Sequence, residues 1–315
     1  MADIIVTTLV DEDDDDASVA APGGAGLSLR EAMALADSDA YSGFDRIVFD
    51  ASLSGAIKLT LGSLGVSSSR GVYGEGRITI TGDVEGDDTI ANGFTDVLAT
   101  AVSELDDNTK LFSLPGAAAG ASLTLDGLNL TGGRSGNYGG AIDAYGTDLT
   151  INDVNFVGNV VYNAVNGGGA LYSGADLTIT NSSFVGNVVR QGAGGGAIYK
   201  ASGGALTLMN VAFADNAAYN VADDAAGGAI HTRTGGTLTN VTITGNYAEG
   251  SGGGFFSDAG EVRILTDSVV SNNRAGDGGG GVFVNDGDAT LTRVEVTDND
   301  AAGDGGGLFA RGEIT

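Results

Sequence analysis

A Gly-Gly pair followed by two further, mostly apolar residues recurs seven times from residue 139 onward. The pairs begin at positions 139, 168, 195, 227, 253, 280 and 306, so successive spacings are 29, 27, 32, 26, 27 and 26 residues. A period of about 20 to 50 residues is typical of repeat proteins, in which each unit packs against its neighbours. The chain is therefore predicted to fold as a solenoid.

A second signature alternates with the first and consists of an apolar residue, two spacers and an asparagine. Runs such as Leu149-Thr150-Ile151 precede it and alternate with the period of two that indicates strands. Short strands separated by glycine or asparagine turns make one coil, and stacked coils pair in parallel. The predicted fold class is all-β, a right-handed parallel β-helix with an N-terminal capping helix. Left-handed backbone and stacked amides predict a structural ladder at a bend, formed by Asn159, Asn187, Asn216, Asn246, Asn273 and Asn299.

Two columns of apolar side chains are predicted to fill the interior of the coils. The fourth residue of each glycine signature forms the first column, and the residue that follows it in the strand is expected to face solvent. The apolar residue of each asparagine signature forms the second column. The first column comprises Ile142, Leu171, Ile198, Ile230, Phe256, Phe283 and Phe309, and the second comprises Phe156, Phe184, Phe213, Ile243, Val270 and Val296.

The charge balance excludes several classes of partner. The chain has 315 residues, 41 acidic against 14 basic side chains, a net charge of −27 and no cysteine. Phosphate recognition needs a basic patch, so neither nucleic acid nor an anionic lipid surface is an expected partner. No apolar stretch approaches the roughly 20 residues of a membrane span. The first residues show neither the basic nor the apolar region of a signal peptide.

Residues 1–60 are predicted to form a strand and helix cap over the open end of a β-helix in residues 61–315. The acidic run Asp11 to Asp16 is expected to be a solvated loop. Ser28 and Glu31 have the spacing of a capping box at a helix start. The last coil reaches Thr315 without a polar capping element. We therefore expect the β-helix to continue beyond Thr315 or to stack end to end with another subunit.

Two segments resemble known families. The alternation of Gly-Gly-Ala-Ile with Phe-x-x-Asn over residues 120–315 is similar to the repeats of polymorphic outer-membrane proteins and related pectate-lyase-like β-helices. Leu27 to Ala32 reads LSLREA and resembles the CSLREA segment of large exported bacterial proteins, with Leu27 in place of its cysteine. The resemblance implies a cell-surface or extracellular protein, exported by a type I-like route without an N-terminal signal peptide.

One predicted face carries residues suited to acid–base chemistry. Tyr172, Tyr199 and His231 follow the first apolar column on successive coils, and Arg233 lies two positions beyond His231, which is the single histidine of the chain. Three coils span about 15 Å, so the four side chains could bind a sugar or remove a proton from it. A polysaccharide lyase that acts on an acidic glycan is therefore the alternative function. The other interpretation is that these residues simply form an ordinary exposed strand surface.

Two further sets are candidate ligand sites. Arginine and tyrosine are enriched at recognition surfaces, and a second outward column is predicted to contain Tyr162, Arg190, Tyr219, Tyr247 and Arg274. Calcium prefers oxygen ligands, and Asp277 and Asp304, each followed by glycine, loosely resemble calcium-binding repeats. Calcium is the candidate cofactor, and glycans or other surface proteins are the candidate partners. The favoured function is a non-catalytic surface, adhesin or stalk segment of a larger secreted acidic bacterial protein.

Overall fold

The chain folds as an all-β parallel solenoid of about eight turns, as predicted. A computed structural model describes residues 3–14, 23–38, 44–85, 109–114, 121–162, 166–219, 226–258 and 263–315. Successive coils contribute strands in a fixed order to four parallel sheets, which we call sheets 1 to 4, although only three coils add a described strand to sheet 4. Their strands pair in parallel throughout, because each strand meets the equivalent strand of the next coil.

Sheet 1 has 14 described strands and forms the longest wall. Its strands are Ile4–Val6, Asp45–Phe49, Gly55–Lys58, Arg70–Thr81, Ser122–Thr131, Asp148–Val157, Leu177–Thr180, Ser183–Val185, Leu206–Ala214, Gly236–Thr244, Arg263–Thr266, Val269–Ser271, Ala289–Thr292 and Glu295–Thr297. A bend divides these strands in the middle, where Asn181, Asn210 and Asn240 have φ angles of 51°, 57° and 52°. Asparagine tolerates this left-handed backbone, which re-aims the strand without a turn.

The remaining sheets close each coil. Sheet 2 comprises Leu64–Gly65, Phe112–Ser113, Ile142–Ala144, Leu171–Ser173, Ile198–Lys200, Ile230–Thr232, Phe255–Ser257, Val282–Val284 and Leu308–Ala310. Sheet 3 comprises Arg134–Ser135, Val160–Val161, Val188–Val189, Ala217–Ala218, Tyr247–Ala248, Arg274–Ala275 and Asp300–Ala301. Sheet 4 comprises Tyr138–Gly139, Asn166–Gly168 and Ala193–Gly195.

A single apolar core runs along the solenoid axis. Side chains from sheets 1 and 2 fill it, including the fully buried Phe156, Phe184 and Phe213. The rings of Phe156 and Phe184 stack with centroids 4.4 Å apart, and those of Phe184 and Phe213 with centroids 4.9 Å apart. The second predicted column therefore lies inside the coils, where its three phenylalanine rings stack on one another.

The first predicted column is wrong in its last three members. Ile230 pairs with Phe255 rather than Phe256, and the column continues through Val282 and Leu308. Gly254 stands where the earlier coils have alanine, so the true signature starts one residue earlier. Phe256, Phe283 and Phe309 consequently occupy the opposite face of sheet 2. The residues that were expected to face solvent on these strands lie on the core side of sheet 2 instead. Two of them, Ser257 and Val284, are buried.

The asparagine column is a continuous chain of amide hydrogen bonds. Each Nδ2 donates to the Oδ1 of the asparagine in the next coil at 2.9 Å, from Asn159 to Asn299. The same Oδ1 accepts the backbone N–H of the preceding asparagine, as in Asn187 N–H to Asn216 Oδ1 at 2.9 Å. The expectation that these asparagines are themselves left-handed is wrong, because the residue before each of them takes that conformation, such as Asp215 with φ 56°. The buried amides are therefore fully satisfied within the ladder.

The N-terminal segment is tied to the first coils by the buried Arg70. The helix Leu29–Ala36 begins at the capping box of Ser28 and Glu31. Arg70 is fully buried and donates to the carbonyl of Met33 at 2.6 Å and to Asp37 near the helix C-terminus, where a cation is favoured. Ile4–Val6 and Asp45–Phe49 pair within sheet 1, so the strands of residues 1–60 continue the solenoid wall.

The expectation that the acidic run is solvated is wrong at its first residue. Asp11 is buried and accepts from Arg30 Nε at 2.8 Å and from the backbone N–H of Leu61 at 2.8 Å. The carboxylate thus joins the N-terminal segment to the first coils. Asp15 and Asp16 lie outside the described residues.

Candidate functional site

The structure brings the predicted acid–base residues into one column on the outward face of sheet 2. Tyr172 pairs with Tyr199, and Tyr199 pairs with His231. Their ring centroids are 5.6 Å and 4.9 Å apart. The stack continues through Phe256, Phe283 and Phe309, with centroid separations of 4.8, 5.2 and 4.8 Å.

The expectation that this column is exposed is wrong for its tyrosines and histidine. Tyr172, Tyr199 and His231 are 5%, 1% and 6% exposed. Sheet 4 lies beside the rings: the Tyr138 ring is 4.8 Å from that of Tyr172, and Tyr199 Oη donates to Asn166 Oδ1 at 3.1 Å. An outward strand position is therefore no guarantee of exposure, because a neighbouring segment of the preceding coil can cover it.

Burial also shifts the acid–base properties of these rings. It raises the pKa of Tyr172 to about 12, with a smaller contribution from the neighbouring tyrosines. It lowers the pKa of His231 to about 4, and neither ring nitrogen has a hydrogen-bond partner. A base must reach the proton that it removes. The imidazole is therefore neutral near pH 7, and both of its nitrogens are buried within the aromatic stack.

Arg233 lies beside the rings, where its guanidinium donates a hydrogen bond to the Tyr199 hydroxyl, whereas Lys200 lies apart from them. The Arg233 side chain is half exposed, and its Nε lies 3.8 Å from Asp258 Oδ2 at the edge of the stack. Lys200 faces the core side of sheet 2, where it is fully buried and donates to the carbonyls of Ala201 and Gly203. Burial lowers the pKa of Lys200 to about 8.

The predicted arginine and tyrosine column is wrong, because its residues occupy two columns of the solenoid. Tyr247 and Arg274 pair with each other in sheet 3. Tyr162, Arg190 and Tyr219 lie two positions further along their coils, where each backbone N–H bonds to the sheet 3 strand of the preceding coil. The rings of Tyr219 and Tyr247 still meet at 5.2 Å, and they pack against the buried Val188 and Ala217. This surface is therefore a partly buried apolar patch with arginines at its edge.

The two metal candidates lie on adjacent coils at the same corner. Asp277 Oδ2 accepts from Ser251 Oγ at 3.1 Å, and the backbone carbonyl of Asp304 accepts from Gly279 at 2.9 Å. No group of three or more aspartate, glutamate or histidine side chains suited to a metal occurs among the described residues. Calcium at Asp277 and Asp304 stays a prediction.

A groove on the outer face of sheet 1 was not predicted. It follows the bend of the long strands, has a volume of about 330 Å³ and is widely open to solvent. The lining comes from four successive coils, which corresponds to about 15 Å along the axis. We call it the amide groove, and its lining residues are Asn155, Asn181, Ser182, Ser183, Asn210, Val211, Ala212, Asn240 and Thr242.

One wall of the amide groove is a second chain of amides. Asn210 Nδ2 donates to Asn181 Oδ1 at 2.9 Å, and Asn240 Nδ2 donates to Asn210 Oδ1 at 2.8 Å. Ser183 Oγ donates to Asn155 Oδ1 at 2.7 Å on the opposite wall. The recurrence of asparagine or aspartate three residues before the core phenylalanine column signals this wall in the sequence. The concavity between the walls depends on the bend and has no such signal.

Comparisons with protein-family models, curated proteins and solved structures find no match to the chain. The resemblance to CSLREA segments and to polymorphic outer-membrane proteins therefore stays a prediction. Within the part of the chain that the structure describes, no helix has the length and apolarity needed to cross a membrane.

Proposed function

We propose that this chain is a non-catalytic, extracellular segment of a larger secreted acidic bacterial protein. It acts as a stalk or adhesin that holds a binding surface away from the cell. The parallel solenoid supports this role, because each added coil lengthens the rod and leaves its cross-section unchanged. The net charge of −27 suits a solvated exterior and opposes binding to nucleic acid.

The observation that carries the proposal is the burial of the aromatic stack. A lyase needs a base and a charge-neutralising group at the floor of an accessible cleft. The residues best suited to that chemistry, Tyr172, Tyr199 and His231, are instead at most 6% exposed. They pack against sheet 4 residues of the preceding coil and stabilise the rod as a stacked aromatic column outside the core.

Two assays test the proposal. The purified chain is incubated with alginate, pectate and hyaluronan, with and without calcium, and unsaturated product is followed by ultraviolet absorbance. We expect no product under any condition. Product that is lost in Tyr199→Phe, which removes only one hydroxyl, would contradict the proposal and establish a lyase. In the second assay, antibodies against the folded chain should label intact cells that carry the protein, and labelling that requires permeabilised cells would contradict surface display.

A further inference from the structure

We propose that the amide groove binds a neutral polysaccharide, with the sugar chain lying along the solenoid axis. This inference rests on the proposed surface function and assigns its ligand class and its site. The groove is open at the surface and crosses four coils, so a linear polymer can enter from the side and run past both ends. An enclosed pocket would instead select a small molecule or a chain end.

The groove offers hydrogen bonds in the form that sugar hydroxyls need. Each amide has two N–H groups and two acceptor lone pairs. Asn210 uses one N–H toward Asn181 and one lone pair toward Asn240, and it keeps the second of each for a ligand. A hydroxyl both donates and accepts, so it can pair with both groups of one amide. The neighbouring coils also hold the amides in place, so less conformational entropy is lost when a ligand binds to them.

The charges select a neutral ligand. All the residues that line the amide groove in the described structure are uncharged. At the end of the asparagine wall, Asp267 is paired with Arg293 Nη2 at 2.7 Å. The surrounding protein has a net charge of −27 and repels an acidic glycan over several ångströms of solution. A neutral glycan meets no such repulsion.

The same asparagines also have a structural reason to be present, because each occupies a left-handed backbone position. Asn210 has φ 57°, and glycine adopts that conformation without a steric cost. Asn210→Gly therefore removes the amide and preserves the bend. Asn272, exposed at another corner with φ 56°, provides a matched control in Asn272→Gly.

The test is affinity electrophoresis of the whole chain in native gels that contain dextran, galactomannan, xyloglucan, alginate or pectate. We expect at least one of the neutral polymers to retard the chain. Asn210→Gly should weaken the apparent Kd about tenfold, since it removes one or two hydrogen bonds of about 1 kcal/mol each. Asn272→Gly should bind like the unchanged chain.

The inference is overturned if none of the neutral polymers retards the chain, if only the acidic polymers do, or if the two variants bind alike. The proposed function fails by a different readout, namely shortening of any polymer during incubation. Absence of both binding and shortening would remove the glycan ligand and leave the non-catalytic surface role intact.

Discussion

Replacing Asn216 by alanine removes one link from the middle of the buried asparagine ladder. The side chain is fully buried and makes four hydrogen bonds. Its Nδ2 donates to Asn246 Oδ1 at 2.9 Å and to the carbonyl of Phe184 at 3.0 Å. Its Oδ1 accepts both the backbone N–H and the Nδ2 of Asn187, each at 2.9 Å.

The cost follows from the groups that lose their partners. Asn187 is left with a backbone N–H and a side-chain N–H that have no acceptor and no access to water. An unsatisfied buried polar group costs about 1 to 3 kcal/mol. Two such groups give an expected loss of about 4 kcal/mol in the free energy of unfolding, a large share of the stability of an ordinary domain.

Asn299→Ala is the matched control, because it deletes the same kind of link at a position that is only partly buried. Water can replace the lost acceptor there, and we expect a loss of about 1 kcal/mol. Urea unfolding followed by circular dichroism under identical conditions measures both variants. If Asn216→Ala costs no more than Asn299→Ala, the ladder is not stabilised by its buried amide bonds and the reasoning is refuted.

Three other changes test separate parts of the structure. Burial lowers the pKa of His231 from 6.5 to about 4, so between these two pH values the unfolded chain binds a proton that the folded chain does not. The free energy of unfolding should therefore fall by about 3 kcal/mol as the pH drops from 6.5 to about 4. Unfolding measured across pH should show this component absent in His231→Phe, and identical pH profiles would contradict it. Gly195→Ala would place a Cβ 1.9 Å from a backbone oxygen, and the resulting strain of at least about 2 kcal/mol should lower the melting temperature. Gly146→Ala, whose Cβ would have no atom within 4 Å, should change the stability by less than about 0.5 kcal/mol. Equal losses of stability in the two variants would disprove the packing explanation. Arg70→Ala should speed hydrogen exchange in the N-terminal helix because it removes a fully buried guanidinium. Arg46→Ala, which removes an exposed guanidinium, should leave that exchange unchanged. Unchanged exchange in Arg70→Ala would show that Arg70 does not hold the helix on the first coils.

The fold class was predictable because period and alternation are local properties of the chain. The glycine spacing and the strand pattern before Phe156 require neighbouring coils to stack in parallel. The register of later coils was harder to read, because Gly252, Gly253 and Gly254 allow two alignments and Phe255-Phe256 satisfies either one. Only the pairing of Ile230 with Phe255 distinguishes between them.

The surface was less predictable than the core. The sequence places Tyr199 outward on its strand, but its burial depends on the path of the segment that carries Asn166. No local sequence pattern encodes that path. The amide groove requires two further facts, the bend at Asn210 and the alignment of four coils. Residue types in the sequence therefore identified the chemistry of the surface poorly, although they identified the repeat well.

From Asp148–Val157 onward the strands of sheet 1 pair in a constant register, so the length of the solenoid is set by its number of coils. Leu177 and Leu206 occupy equivalent positions in adjacent coils, so a gene duplication or deletion that spans one coil rejoins the chain at matching geometry. Reach then changes in steps of about 4.8 Å, with the same core, the same ladder and one more or one fewer unit of the outer groove. Recombination between repeats can thus change the length of the rod and the length of its outer groove together, without any change of side chain.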